Sequence, residues 1–161
     1  MDLFVAFPNA DLIMRVKTVF FEIFPASLKH SDDITNLTQT LGYDANREET
    51  AHWLNALIHS PLHHVFVVVC EDKVSAWLVV EKRLFLESGF KAEITGLVVG
   101  ENYRRHGLAK ALVSAAEGWA KQQGLAKLVV RSNISREASH LFYPAMGFHC
   151  SKTSHVYVKA V

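Results

Sequence analysis

The segment richest in potential chemistry is Tyr103-Arg104-Arg105-His106-Gly107-Leu108-Ala109, which opens an amphipathic stretch. A loop running into a helix N-terminus presents successive backbone N–H groups at the positive end of the helix. A glycine there lets an anion approach the backbone closely. Arg104 and Arg105 add charged donors of the kind that hold phosphates. This pattern predicts phosphate or pyrophosphate recognition; the plainer alternative is a basic turn ahead of a helix. It is not a nucleotide loop of the Walker A type, because Gly-x-x-x-x-Gly-Lys-Ser/Thr is absent, and it is not Gly-x-Gly-x-x-Gly.

Other chemistries have weaker support. Among the nine histidines, His52, His59, His63 and His64 cluster in sequence, but no Cys or carboxylate spacing around them matches a metal site. The expectation is solvated or turn histidines and no metal. No Gly-x-Ser-x-Gly elbow exists to support a serine hydrolase. Two cysteines, Cys70 and Cys150, cannot build a disulfide framework, and Cys70 closes an apolar run as a buried free thiol would.

The elements that must position these residues can be read from hydrophobic period. Leu3–Phe7 reads as a strand broken by Pro8, and Ile13, Val16, Phe20, Ile23 and Phe24 recur at helical spacing up to Pro25. Ser31-Asp32-Asp33 begins a second helix that Gly42 stops, and Arg47–Ser60 reads as a third. Val65–Cys70 and Val74–Val80 flank the polar turn Glu71-Asp72-Lys73 as a hairpin. Lys82–Phe90 reads as irregular, and Ala92–Val99 as the next strand. Gly107–Gln123 is an amphipathic helix with Leu108, Leu112, Ala115 and Trp119 on one face and Gly124 as its terminator. Leu128–Arg131 (strand), Glu137–Met146 (helix) and Val156–Val158 (strand) complete the order.

That order is one mixed α/β domain over 1–161. With 161 residues, half of them apolar, the chain can build one sizeable core. Seventeen Lys+Arg against sixteen Asp+Glu leave a net charge of +1, so no whole-protein field gathers nucleic acid or anionic lipid. The longest apolar runs are far too short to span a bilayer. Asp2 and the short run before Pro8 do not form a secretory leader. Together with reduced thiols, this predicts a cytoplasmic protein.

Two motifs carry a family resemblance. Arg104-x-x-Gly107-x-Ala109 is similar to the Arg/Gln-x-x-Gly-x-Gly/Ala signature of the GNAT acetyltransferase superfamily. Ser132-Asn133-x-x-Arg136-x-x-Ser139-His140-x-Phe142-Tyr143-x-x-x-Gly147-Phe148 resembles its distal acetyl-CoA segment. Leu41-Gly42-Tyr43 and Lys152-Thr153-Ser154-His155-x-Tyr157-x-Lys159 resemble a bacterial branch of small stand-alone members. Arg105 stands where many members have Gly, so the turn must tolerate a side chain, and Ser139 stands where this branch usually has Ala.

The resemblance implies a GNAT fold, a mixed central sheet with splayed fourth and fifth strands flanked by helices. It implies transfer of the acetyl group of acetyl-CoA to an amine by direct attack in a ternary complex. On that reading Leu97, Val98 and Val99 present backbone to the pantetheine and thioester, and Arg104, Arg105, His106, Gly107, Leu108, Ala109 and Lys110 cradle the pyrophosphate. Asn133 contacts the pantetheine arm. Glu93, eleven residues before Arg104, has the spacing of a general-base glutamate; the alternative is an exposed strand carboxylate. Tyr143 resembles the tyrosine that protonates the leaving thiolate; the alternative is an aromatic packed on CoA. Small amines, peptide amines and a non-catalytic acyl-CoA-binding module all remain open. The acceptor side falls at about Thr35–Ala45 and Glu81–Phe90, where Asp44, Glu81 and Glu87 can attract a cation. Leu84, Phe85 and Leu86 can equally form a homodimer contact.

Overall fold

The computed structural model describes residues 19–161. The strand expected at Leu3–Phe7 lies outside them. Five strands form one sheet in the order β1 (Glu22–Pro25), β2 (His63–Cys70), β3 (Lys73–Phe85), β4 (Gly89–Val99) and β5 (Leu128–Val130). The first four are antiparallel neighbours, and β5 joins β4 in parallel. α1 (Ser31–Thr40) and α2 (Arg47–Ile58) precede β2; α3 (Leu108–Gln122) connects β4 to β5, and α4 (Glu137–Ala145) follows β5.

Each sheet face has its own core. Val68, Leu78, Val80, Ala92 and Ile94 pack under Leu108, Leu112, Val113 and Ala116 of α3. On the other face Val65, Val67 and Val74 pack under Ile34 and Leu54 of α1 and α2. Because successive strand residues face opposite ways, Ala92 and Ile94 place Glu93 on the α1–α2 face.

Local chemistry explains the element ends. Asn46 caps α2 by accepting from the N–H groups of Glu48 and Glu49 at 2.8 and 3.2 Å. Glu71 and Asp72 both take positive φ, 49° and 63°, and make the two-residue turn that the right-handed twist of a hairpin requires. α1 and α4 end in the same capping motif. After α1, the N–H of Tyr43 reaches the Thr38 carbonyl and that of Gly42 the Gln39 carbonyl. After α4, Phe148 reaches Tyr143 and Gly147 reaches Pro144. Gly42 and Gly147 supply the left-handed residue at φ 86° and 87°. The backbone N–H of Tyr43 and the carbonyl of Tyr143 each take part in one of these caps.

Three sequence expectations are corrected. Phe20–Phe24 is not helical: Glu22–Pro25 is a strand paired with β2, and Phe21 and Ile23, two apart, turn toward the α3-side core. So short a run satisfies both periods, and the pairing decides. Lys82–Phe90 is not irregular: β3 and β4 continue to Phe85 and from Gly89, where Lys82 lies 4.7 Å over the Phe90 ring and Lys91 4.9 Å over the Phe85 ring. Val156–Val158 forms no strand: its residues are 85, 90 and 92% exposed and no ladder partner stands beside it among the described residues.

Candidate active site

The sheet opens where β4 and β5 part. They pair over three positions only, Ala92 with Leu128, Glu93 with Val129 and Ile94 with Val130. At this level the β3–β4 register also slips, because Val79 faces Gly96 while Val80 faces Ile94, leaving Thr95 as the extra residue of a bulge. Bulge and divergence open a cleft of about 360 Å³. One wall is Ile94–Val98, the other runs from Val130 to Asn133 and on to Arg136, Ser139 and Tyr143 of the α4 region; Thr38, Tyr43 and Trp77 close the α1–α2 side.

Gly96 is required by close approach. A Cβ there would lie 2.6 Å from Cζ3 of the Trp77 indole, which cannot swing away like a flexible chain end. Gly96→Ala is expected to cost about 1–3 kcal/mol, read as a lower urea midpoint with an unchanged slope.

The cleft brings together Leu97, Val98, Asn133 and Tyr143. Tyr143 is half-buried, edge-on to Phe142 and Phe148 at 5.2 and 5.5 Å. Burial pushes its phenol above the ordinary value near 10, opposed by the nearby Arg136 charge, so the hydroxyl stays protonated across the neutral range. Asn133 accepts from the N–H and hydroxyl of Ser135. Arg136 donates to the Tyr43 hydroxyl at 2.9 Å, a bridge across the cleft mouth.

Val99 and Arg104–Lys110 lie outside that lining. Gly107, at φ 84°, caps α3 with no side-chain cap, so the first N–H groups of the helix are free for an anion. Nothing stands within 4 Å of where its Cβ would be. His106 keeps a buried Nδ1 without a partner among the described residues. Arg105 takes φ 63°, the strained conformation that a glycine would relieve. Leu108 is a core residue, and only its backbone is available to a ligand. An open anchor, an orphaned ring nitrogen and exposed Arg104 and Lys110 fit a pyrophosphate.

Glu93 is not an exposed strand carboxylate: it is 4% exposed. Arg83 Nη1 donates to its Oε2 at 2.9 Å and Arg131 Nε to its Oε1 at 2.7 Å. The polar chain continues across the sheet. Arg83 Nε reaches Glu81 at 2.9 Å, Glu81 accepts from His63 Nε2 at 3.1 Å, and His63 Nδ1 meets the Ser60 hydroxyl at 2.7 Å. Sequence reasoning missed Arg83 and Arg131, which lie 10 and 38 residues from Glu93; the available signal was that all three sit on the same sheet face. Among the described residues no three His, Cys, Asp or Glu side chains gather as a metal site, and no helix is long and apolar enough to cross a membrane.

Comparison with known proteins identifies this arrangement. The family model of the acetyltransferase (GNAT) family matches residues 31–148, and the chain belongs to that family. It is 36% identical over 58 residues to aminoglycoside N(6')-acetyltransferase type 1 of Acinetobacter baumannii, a match covering 36% of this chain and 40% of that protein. Thus the chain spans about two-fifths of the length of such curated relatives. N-alpha-acetyltransferase 30 of Schizosaccharomyces pombe is 23% identical over 126 residues, covering 78% of this chain and 82% of that one. Among solved structures, aminoglycoside 6'-N-acetyltransferase AAC(6')-Ih from Acinetobacter baumannii superposes with a TM-score of 0.76 at 23% identity, over 88% of this chain and 99% of that one. AAC(6')-Iy, solved with CoA, gives 0.80 at 16% identity, over 89% and 97%. These structural likenesses establish the expected fold, a mixed sheet whose fourth and fifth strands splay apart between helices.

Proposed function

We propose that the protein is an acetyl-CoA-dependent N-acetyltransferase in which a primary amine attacks the thioester directly within a ternary complex. The observation that carries this reading is the cleft between the splayed strands, which joins Leu97, Val98, Asn133 and Tyr143 and is walled by β4, the strand whose chain leads on to the uncapped N-terminus of α3. Acetyl-CoA fits it with its pyrophosphate on Arg104–Lys110, its pantetheine along Leu97–Val99 and beside Asn133, and its thioester near the bulge. No nucleophile is needed: Cys70 is buried, and Cys150 lies beyond α4. Rates measured over a grid of acetyl-CoA and amine concentrations should give intersecting double-reciprocal lines. Parallel lines with an acetylated enzyme would contradict direct transfer.

Tyr143 is the acid in this scheme. Negative charge develops on the CoA sulfur as the tetrahedral intermediate collapses, and a protonated phenol can hydrogen-bond to that sulfur or protonate it. Tyr143→Phe keeps the ring, its Phe142 and Phe148 contacts and the helix cap. It should lower kcat by about 10–10²-fold with acetyl-CoA Kd nearly unchanged. Parental kcat, with chemistry shown to limit turnover, would leave Tyr143 as a packing aromatic.

Glu93, which lies outside the cleft lining, is the general base in this scheme, directly or through one water. Its burial favours a second reading, in which Glu93 positions Arg131 and only supports the site. The acceptor is a small molecule or a peptide bearing a primary amine, with no nucleic acid or membrane involved. The cytoplasm fits the reduced thiols, and the apolar hairpin tip at Leu84 and Leu86 fits a homodimer contact.

A further inference from the structure

The chain of ion pairs that ends at Arg131 bears on which amines the cleft accepts, an inference that rests on the N-acetyl-transfer reading. Glu81 and Glu93, on the α1–α2 face of the sheet, are matched by Arg83 and Arg131. The two carboxylates and the two guanidiniums of the network balance, and His63 bridges Glu81 and Ser60 at its far end. The two charged residues lining the cleft itself, Arg131 and Arg136, are both cations. Arg136 is on the cofactor-side helix entry and donates to Tyr43. Arg131 uses Nε for Glu93, and among the described residues its two Nη groups have no hydrogen-bond partner.

Arg131 also stands at the reacting end. It follows Val130, the last partner of β4, so it flanks Thr95 where the strands begin to part. Thr95 lies four residues, about 13 Å of strand, before Val99, on the side away from the Arg104–Lys110 loop. Its guanidinium is therefore not the pyrophosphate anchor. It is fixed by a buried carboxylate while its side chain stays 56% exposed, a pre-organised fork of the kind that carboxylates and phosphates engage. Trp77, which closes the α1–α2 side of the cleft, keeps a buried indole N–H with no acceptor among the described residues.

We propose that Arg131 is a specificity-determining residue that recognises an anionic group on the acceptor, so that the preferred substrates are amines that also carry a carboxylate or phosphate. A polycation gains little from Glu81 and Glu93, whose carboxylates already hold arginines, and Asp44 and Glu87 lie outside the cleft lining. The amine then reaches the thioester a few bonds away from an anion seated on Arg131.

The test uses matched acceptors that differ only in charge: β-alanine against β-alaninamide and γ-aminobutyrate against its amide, with kanamycin and spermidine as polycations, each followed by free CoA release. The full-length protein should favour the acids by at least about tenfold in kcat/KM, the scale of one charge-assisted hydrogen bond. Arg131→Gln should narrow the acid-to-amide ratio to within about twofold through the KM of the acids, and Arg131→Lys should keep part of it. Preference for the polycations, or a ratio unaltered in Arg131→Gln, would overturn the proposal. A preference for succinyl-CoA over acetyl-CoA with no discrimination among amines would place the anion on the acyl chain and also overturn it. The parental panel stands even if Arg131→Gln fails to fold. Turnover of no amine while acetyl-CoA still binds would instead remove the acetyl-transfer reading itself.

Discussion

Glu93→Gln should lower kcat at neutral pH by about 10²–10⁴-fold, the contribution of a positioned general base. The amide keeps the shape and can still accept from one guanidinium, but it cannot relay a proton and cannot match the charge of both Arg83 and Arg131. Two consequences separate the base from the positioning reading. If Glu93 relays the proton, the variant loses rate most steeply at the lower pH values, where the amine arrives protonated, and raising the pH restores much of it. If Glu93 only holds Arg131, the loss is smaller and independent of pH. The urea midpoint falls in both cases, since a buried ionic pair has lost a partner. A pH–kcat profile equal to the parent's would place the base elsewhere.

Gly107→Glu should weaken acetyl-CoA binding by about 10²-fold or more, the equivalent of two lost charge-assisted hydrogen bonds. Its carboxylate would compete for the free N–H groups at the start of α3 and repel the pyrophosphate. The residue sits at φ 84°, so any side chain adds strain of about 1–2 kcal/mol even though space is open around it. Gly107→Ala is the control: it carries the same strain and no charge. Calorimetry on both folded variants should show a modest change for Ala and a large one for Glu. Equal affinities for Glu and parent would remove this loop from the cofactor site.

What was legible in the sequence was local. α3 announces itself by its apolar stripe and by Gly124, whose N–H and that of Leu125 close the helix on Lys121 and Ala120. The β2–β3 turn follows from polar residues that tolerate positive φ. The family motifs were legible for the same reason, because each is a continuous stretch of sequence within one loop and the helix that follows it. Contacts between distant segments were not legible. Phe21 and Ile23 suit a helix as well as a strand until β2 lies beside them. Glu93 looks like any strand carboxylate until Arg131, 38 residues later, lands on it. Tyr43 and Arg136 are 93 residues apart, and no period or spacing joins them. The tail at Val156–Val158 has a strand's composition, yet composition cannot supply the hydrogen-bonding neighbour that makes a strand.

Acetyl transfer to nitrogen is tested by mass spectrometry of the products formed from acetyl-CoA and a panel of amines. One N-acetylated amine should form for each CoA released, with no release above hydrolysis without amine and no covalent acetyl on the protein. Release of CoA that yields acetate alone whatever amine is offered, or tight acetyl-CoA binding with no product from any amine, would contradict it.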